Sequence, residues 1–245
     1  PYDLVRTMRA SILVLGPLLT RFGVANVSFP GGCAIGSRPV DIHLRGLEAM
    51  GAEVEVDGGY IRARVNGRLK GAHILMETVT VGGTENLMMA ACLAAGTTII
   101  ENASIEPEVI DLANFLCAMG ARVHGAGTST IQIEGTPRLH GAAYRIMPDR
   151  MEAGTFALAA LITGGSVRMD GSVSPYLGAL TNKMRSAGAE VIDTRECYEV
   201  RAPEVLMPTD IQTYPYPGFP TDLQAPFTTT MTQANGNSSI YETMF

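Results

Sequence analysis

Cysteine is scarce in this sequence. Its four cysteines, Cys33, Cys92, Cys117 and Cys197, show neither metal-ligand spacing nor a disulfide framework, and 245 residues need no covalent staples. A reducing cytoplasm fits that usage. Net positive charge is missing as well. With 18 basic and 24 acidic residues the formal net charge is −6, which argues against a nucleic-acid partner. An anionic ligand must therefore be met by locally clustered arginines. Long hydrophobic runs are also absent: the longest, residues 10–20, is broken by Gly16-Pro17 and bounded by Arg9 and Arg21. That is far short of the roughly 20 residues that span a bilayer, and no signal peptide is visible. What remains, 46% hydrophobic and 17% charged, is an ordinary globular chain large enough for two cores.

The most chemically loaded stretch is Phe29-Pro30-Gly31-Gly32-Cys33-Ala34-Ile35-Gly36-Ser37-Arg38-Pro39-Val40-Asp41. Its glycines free the backbone for positive φ and close approach to a ligand, and Pro30 and Pro39 stiffen the two ends. Arg38 is near enough to favour a Cys33 thiolate or to hold a phosphate. Spacing alone leaves a second reading, a surface turn with an incidental cysteine, ahead.

Comparison of the chain with itself weakens that second reading. A helix-ending phrase occurs three times, as Leu47-Glu48-Ala49-Met50-Gly51-Ala52-Glu53-Val54, Leu116-Cys117-Ala118-Met119-Gly120-Ala121-Arg122-Val123 and Met184-Arg185-Ser186-Ala187-Gly188-Ala189-Glu190-Val191. Each reads as a helix stopped by glycine and followed by two strands. The expected unit is β-α-β-α-β-β, repeated at roughly seventy residues, which makes an α/β protein. In the first copy the segment holding Cys33 and Arg38 is about three residues longer than its counterparts, and an insertion the fold does not need is where function is mounted.

The loop Pro30-Gly31-Gly32-Cys33-Ala34-Ile35-Gly36-Ser37-Arg38-Pro39-Val40-Asp41 resembles the reactive loop of the enolpyruvyl transferase family, in the branch serving peptidoglycan synthesis. Thr7-Met8-Arg9-Ala10-Ser11, Pro148-Asp149-Arg150-Met151-Glu152 and Phe219-Pro220-Thr221-Asp222-Leu223-Gln224-Ala225 agree in order and spacing, so the resemblance covers the whole chain. The sister branch of aromatic biosynthesis shares the fold but lacks this cysteine loop. The resemblance implies a two-domain inside-out α/β barrel of which this chain is an incomplete fragment. Residues 1–147 are expected to hold two repeat units of one domain, with the reactive loop at 29–41. Residues 148–245 are expected to hold the first unit, and the start of the next, of the other domain. A Lys-Asn pair that contacts phosphoenolpyruvate and later arginines lie outside the chain, so the isolated fragment is expected to be inactive.

The implied reaction moves the enolpyruvyl group of phosphoenolpyruvate to the 3-hydroxyl of UDP-N-acetylglucosamine and releases phosphate. By resemblance, Cys33 is the acid toward the methylene carbon and the thiol of a covalent adduct, and the target of fosfomycin. Arg9 and Arg38 offset anionic charge, and Asp222 takes up the hydroxyl proton. Arg38, Pro39, Val40, Asp41 and Ile42 would line the uridine site; Thr78, Val79, Thr80 and Val81 would contact the nucleotide sugar, as would Met244. Thr78 stands where the family commonly has lysine. No metal or organic cofactor, no nucleic acid and no membrane are implied, and the location is cytoplasmic. A transferase for another acceptor and a non-catalytic nucleotide-sugar-binding paralogue stay open.

The remaining expectations are local. A helix is expected from Asp3 to about Phe22, with Met8, Ile12, Leu15, Leu19 and Phe22 on its apolar face, a solvated Arg6, and Arg9 near its N-terminus. Arg62, Arg64, Arg68 and Lys70 read as a solvated face, and His43 as a satisfied polar residue. A strand is expected to pass through Gly82-Gly83 into a helix over residues 84–95, with Cys92 and, on the next helix, Cys117 buried. Asp149-Arg150 reads as a buried hinge ion pair and residues 208–220 as a stiff irregular connection. Asp222 is expected at the N-cap of a helix over residues 223–233.

Overall fold

The phrase that ends a helix three times in the sequence ends it the same way each time in space. In the computed structural model, which describes residues 5, 8–31, 40–171, 173–194 and 196–244, Gly51, Gly120 and Gly188 have φ of 91°, 94° and 95°. Each glycine N–H donates three residues back, to the carbonyls of Glu48, Cys117 and Arg185. The following alanine N–H reaches five back, from Ala52 to Leu47, Ala121 to Leu116 and Ala189 to Met184. These paired bonds close the last orphan carbonyls of the helix, and the left-handed residue that permits them is glycine because it has no Cβ.

Two compact units divide the chain, residues 1–146 and 147–245. In the first, a 3-10 turn Arg9–Val14 leads into α1 (Leu15–Phe22), β1 (Val24–Ser28), α2 (Asp41–Ala49), β2 (Glu53–Asp57) and β3 (Tyr60–Arg64). These strands form an antiparallel sheet of order β1-β3-β2, whose register sets Ala25 opposite Ala63 and Val27 opposite Ile61 on the buried face. The second copy follows as β4 (His73–Leu75), α3 (Val81–Ala91), β5 (Thr97–Glu101), α4 (Pro107–Ala118), β6 (Arg122–His124) and β7 (Thr130–Glu134). Its sheet order is β4-β5-β7-β6, with β4 parallel to β5 and the other pairs antiparallel.

Helix α3 is the centre of this unit. Leu87, Met88, Ala90 and Ala91 are fully buried and share a core with Leu15 and Leu19 of α1, Leu47 of α2, and Ile100, Ile131 and Ile133 of the sheet. Each fully buried Leu or Met contributes about 1.5–3 kcal/mol. Close approach depends on one glycine in each neighbour. A Cβ on Gly16 would lie 2.5 Å from Asn86 Oδ1 and 2.6 Å from its carbonyl oxygen, and a Cβ on Gly46 would lie 2.4 Å from Leu87 Cδ2.

The second unit runs α5 (Arg150–Ile162), β8 (Ser166–Asp170), a 3-10 turn (Ser174–Tyr176), α6 (Gly178–Ser186), β9 (Glu190–Asp193) and β10 (Cys197–Arg201). Its antiparallel sheet has order β8-β10-β9, the order seen for the first copy. Then come β11 (Ile211–Gln212), a 3-10 turn (Thr221–Leu223), α7 (Gln224–Met231) and β12 (Ile240–Tyr241), with β11 parallel to β12. Leu158, Leu161, Leu180, Met184, Tyr198, Val200 and Phe227 make its core, and the Phe219 and Phe227 rings meet edge to face at 5.3 Å. The chain is thus α/β with repeated units, and its described strands close no barrel.

Several local expectations need correction. The single helix over residues 3–22 is broken: Met8 is extended (φ −126°, ψ 111°), and a 3-10 turn precedes α1. Met8 and Phe22 are 56% and 64% exposed, off the buried face formed by Ile12, Leu15 and Leu19. Residues 77–80 are not a strand, and Gly82-Gly83 lie inside α3, which begins at Val81 and ends at Ala91. Arg68 is not simply solvated, since it donates to the carbonyls of Leu93 and Ala94 just beyond α3 and of Thr136 just beyond β7. Cys117 is exposed on the outer side of α4. The 208–220 connection contains β11, and the last helix starts at Gln224 and stops at Met231.

Candidate active site

In the first unit three chain segments that carry predicted site residues are tied together by one buried amide. Asn86, fully buried in α3, accepts at Oδ1 from the Gly16 N–H at 2.8 Å. Its Nδ2 donates to the Ile12 carbonyl at 3.2 Å and lies 3.0 Å from His43 Nδ1. With both Asn86 protons used as donors, His43 Nδ1 must accept, which fixes a neutral ring with its proton on Nε2. Burial, helped by the nearby Arg9 charge, pulls the His43 pKa from 6.5 down to about 4. His43 is therefore the satisfied polar residue expected, held neutral.

The same unit carries the other described residues that the sequence nominates for a site. Arg9, half-buried, opens the 3-10 turn. Val40 is buried, Asp41 is exposed in the first turn of α2, and Ile42 packs toward α3, its Cγ2 lying 3.2 Å from where a Gly83 Cβ would stand. Thr80 is the N-cap of α3: its Oγ1 accepts from the Gly83 N–H at 3.4 Å, and its carbonyl accepts from Thr84 Oγ1 at 2.8 Å. Thr78 and Val79 are exposed just before it, and Val81 is half-buried in its first turn. The arrangement sets Arg9 and the N-terminal ends of α2 and α3 around one neutral brace, a combination suited to an anion. Cys33, Arg38 and Pro39, like Arg6, lie outside the described residues.

The second unit holds Asp222 and Met244, both exposed. Asp222 is not a cap. It sits inside the 3-10 turn whose N-cap is Pro220, and the residue before α7 is Leu223, with no side-chain cap. Asp149 is the carboxylate that caps, accepting from the N–H groups of Met151 and Glu152 at 2.8 and 3.0 Å. It is exposed, so the buried hinge pair is corrected to a cap beside a buried Arg150, whose guanidinium stands over the Tyr216 ring at 5.4 Å. Asp222 and Met244 are linked through a residue the sequence did not single out. Glu242 Oε1 accepts from Thr213 Oγ1 and from the Met244 N–H, each at 2.7 Å, and Oε2 accepts from Thr221 Oγ1 at 3.0 Å. Burial raises its pKa, but these donors outweigh burial and leave it lowered.

Asn86 and Glu242 are the polar residues that sequence reasoning missed. Asn86 had a signal, because an amide inside the apolar run of α3 must find partners or lose about 1–3 kcal/mol. Glu242 had none. Glu85 is a further departure: it lies beside Met89 and Leu112 in an apolar groove of about 660 Å³, where burial and then Glu108 raise its pKa to about 7. Among the described residues no His/Cys/Asp/Glu group could hold a metal, and no helix is long and apolar enough to cross a membrane.

A family model for EPSP synthase (3-phosphoshikimate 1-carboxyvinyltransferase) matches residues 1–245. The chain belongs to the EPSP synthase family. Among curated family members it is 59% identical over 249 residues to the UDP-N-acetylglucosamine 1-carboxyvinyltransferase of Cellvibrio japonicus, covering 100% of this chain and 59% of that protein. It is 57% identical over 246 residues to the protein of the same name from Magnetococcus marinus, covering 100% and 58%. The chain therefore spans about three fifths of the length of these relatives. Its structure is similar to that of the enolpyruvyl transferase NikO from Streptomyces tendae, with TM-score 0.79 at 21% identity over 100% of this chain and 60% of that one. It is also similar to EPSP synthase from Acinetobacter baumannii, with TM-score 0.62 at 19% identity over 94% and 54%. The structural likenesses show the fold, that of the enolpyruvyl transferases.

Proposed function

We propose that this family member is part of a cytoplasmic enzyme that transfers the enolpyruvyl group of phosphoenolpyruvate to the 3-hydroxyl of UDP-N-acetylglucosamine, in peptidoglycan synthesis. The observation that carries the reading is identity of 59% along the whole chain to a protein of that name. Atoms balance as an addition and an elimination: the acceptor oxygen bonds C2 of phosphoenolpyruvate as its methylene carbon gains a proton, then that carbon loses a proton as phosphate leaves. In this reading Cys33 supplies the proton and Asp222 accepts the one from the hydroxyl. Arg9 and Arg38 oppose the charge of the phosphate and carboxylate. Arg38, Pro39, Val40, Asp41 and Ile42, at the start of α2, line the uridine site, and Thr78, Val79, Thr80 and Val81, at the start of α3, contact the nucleotide sugar, as does Met244. Neither a cofactor nor a metal has a role in these steps. Residues 1–147 and 148–245 are read as parts of the family's two domains.

The test is phosphate release from phosphoenolpyruvate on addition of UDP-N-acetylglucosamine to the full-length protein containing this chain. Release is expected with the wild type and not with Cys33→Ala; a wild type that releases none overturns the reading. Brief exposure to fosfomycin, followed by mass-spectrometric mapping, should label Cys33 and do so faster with UDP-N-acetylglucosamine present. Exposed Cys117 is the control for mere accessibility, and buried Cys92, its thiol pKa pushed up to about 12 by burial and then by Cys117, is the control for inertness.

A further inference from the structure

We infer that Glu242 is a positioning residue for the proposed transfer, its one carboxylate fixing both the turn that carries Asp222 and the backbone that carries Met244. The inference rests on the function proposed above and adds to it a residue that touches neither substrate.

The geometry is that of a bracket with three arms. Strands β11 and β12 run parallel, with Ile211 beside Ile240 and Gln212 beside Tyr241, and the Thr213 N–H extends the ladder to the Tyr241 carbonyl at 3.0 Å. Beyond that point side chains take over. The Thr213 hydroxyl, fully buried, accepts from the Thr243 N–H at 2.9 Å, and Thr243 Oγ1 donates to the Thr213 carbonyl. The single hydroxyl proton of Thr213 is thus directed at Glu242 Oε1, which also takes the Met244 N–H. Three donors, Thr213, Met244 and Thr221, converge on the two oxygens, and an ionised carboxylate is the side chain that only accepts.

The consequence for Asp222 follows from its neighbours. Leu223, on one side, is fully buried, its Cδ1 lying 2.7 Å from where a Cβ on Gly154 of α5 would stand. Thr221, on the other side, is held by Glu242 Oε2. Asp222 is therefore mounted between two fixed points while its own side chain is exposed. A general base misplaced by about 1 Å can lose about a hundredfold in rate, so such a mount belongs to catalysis and not to fold stability alone.

The test uses the full-length protein with phosphoenolpyruvate and UDP-N-acetylglucosamine. Thr221→Val keeps shape and removes the arm to the Asp222 turn. It is expected to lower kcat about tenfold with KM for the nucleotide sugar within about twofold, while Thr221→Ser recovers most of the loss. Glu242→Ala, which also frees the Met244 N–H, is expected to lower kcat and raise KM together. Unchanged kcat in Thr221→Val, or a lowered melting temperature as its sole effect, overturns the inference. Hydrogen exchange reads the bracket without turnover: the Met244 amide should exchange faster in Glu242→Ala, and the 221–223 amides in Thr221→Val. A wild type without turnover but with those exchange changes would remove the proposed transfer and leave the bracket; unchanged exchange removes the bracket itself.

Discussion

The polar brace in residues 1–146 is an amide and an imidazole that carry no charge, whereas the one in residues 147–245 is a carboxylate. Both join segments far apart in sequence and hold predicted site residues, so the difference reflects surroundings. Asn86 is fully buried and His43 is 5% exposed, and a charge there would lack hydration. Glu242 is half-buried, and three donors and nearby solvent keep it ionised. A dry brace is built from neutral groups with every polar atom paired; a brace at the surface can use charge.

The largest expected effect comes from breaking the dry one. Asn86→Ala leaves the Gly16 N–H, the Ile12 carbonyl and His43 Nδ1 without their partner, and should lower stability by about 3 kcal/mol or more in urea unfolding. A loss under about 1 kcal/mol would mean that water replaces the amide and that the brace is not dry. Next comes pH. The folded-state pKa of His43 is lowered, so its contribution is present above about 6.5 and is lost as pH falls toward about 4, an order of 3 kcal/mol in all. Glu85 has the opposite sign: its raised pKa gives a contribution that is full below about 4.5 and is lost as pH rises through about 7. Between pH 4.5 and 6.5 the two oppose each other. Glu85→Gln should therefore raise the melting temperature at pH 8 and steepen the acid loss below pH 6.5; parallel curves for mutant and wild type would show that the two groups do not offset. The smallest stability effect belongs to the charged brace. Glu242→Gln keeps an acceptor for Thr213 and the Met244 N–H and should cost about 1 kcal/mol or less by the same urea measurement, and a cost matching that of Asn86→Ala would erase the contrast.

What could be read from the sequence was local. The three glycine-ended helices were legible because the cap is made within six residues, and the strand that follows each begins at once. Gly82-Gly83 lie in the first turn of α3 and not in a turn before it, and Gly83 serves close packing there: a Cβ on it would meet Thr80 Cγ2 at 2.6 Å. Asp222 resembled a cap because the next helix lies just beyond it, but a 3-10 turn intervenes and carries it away from the orphan N–H groups. Cys117 is exposed although Leu116, one position away on the same helix, is buried, since successive helical positions point about 100° apart. Asp41 and Ile42 open α2 as expected, Thr78 and Val79 precede α3 without the expected strand, and Cys33, Arg38 and Pro39 lie outside the described residues. Glu242 could not be anticipated, since its meaning comes from Thr213 and Thr221, 29 and 21 residues earlier.

The Asn86 amide also governs the order in which the first unit can assemble. Its partners lie 70, 74 and 43 residues away, on α1, on the turn before it and on α2. Closing each of those loops costs chain entropy before any contact rewards it. An intermediate with α3 docked on only one neighbour would bury part of an unmet amide and be penalised for it. Asn86 thereby disfavours, by about 1–3 kcal/mol for each buried group left unmet, states in which α3 has gained one neighbour and lacks the other.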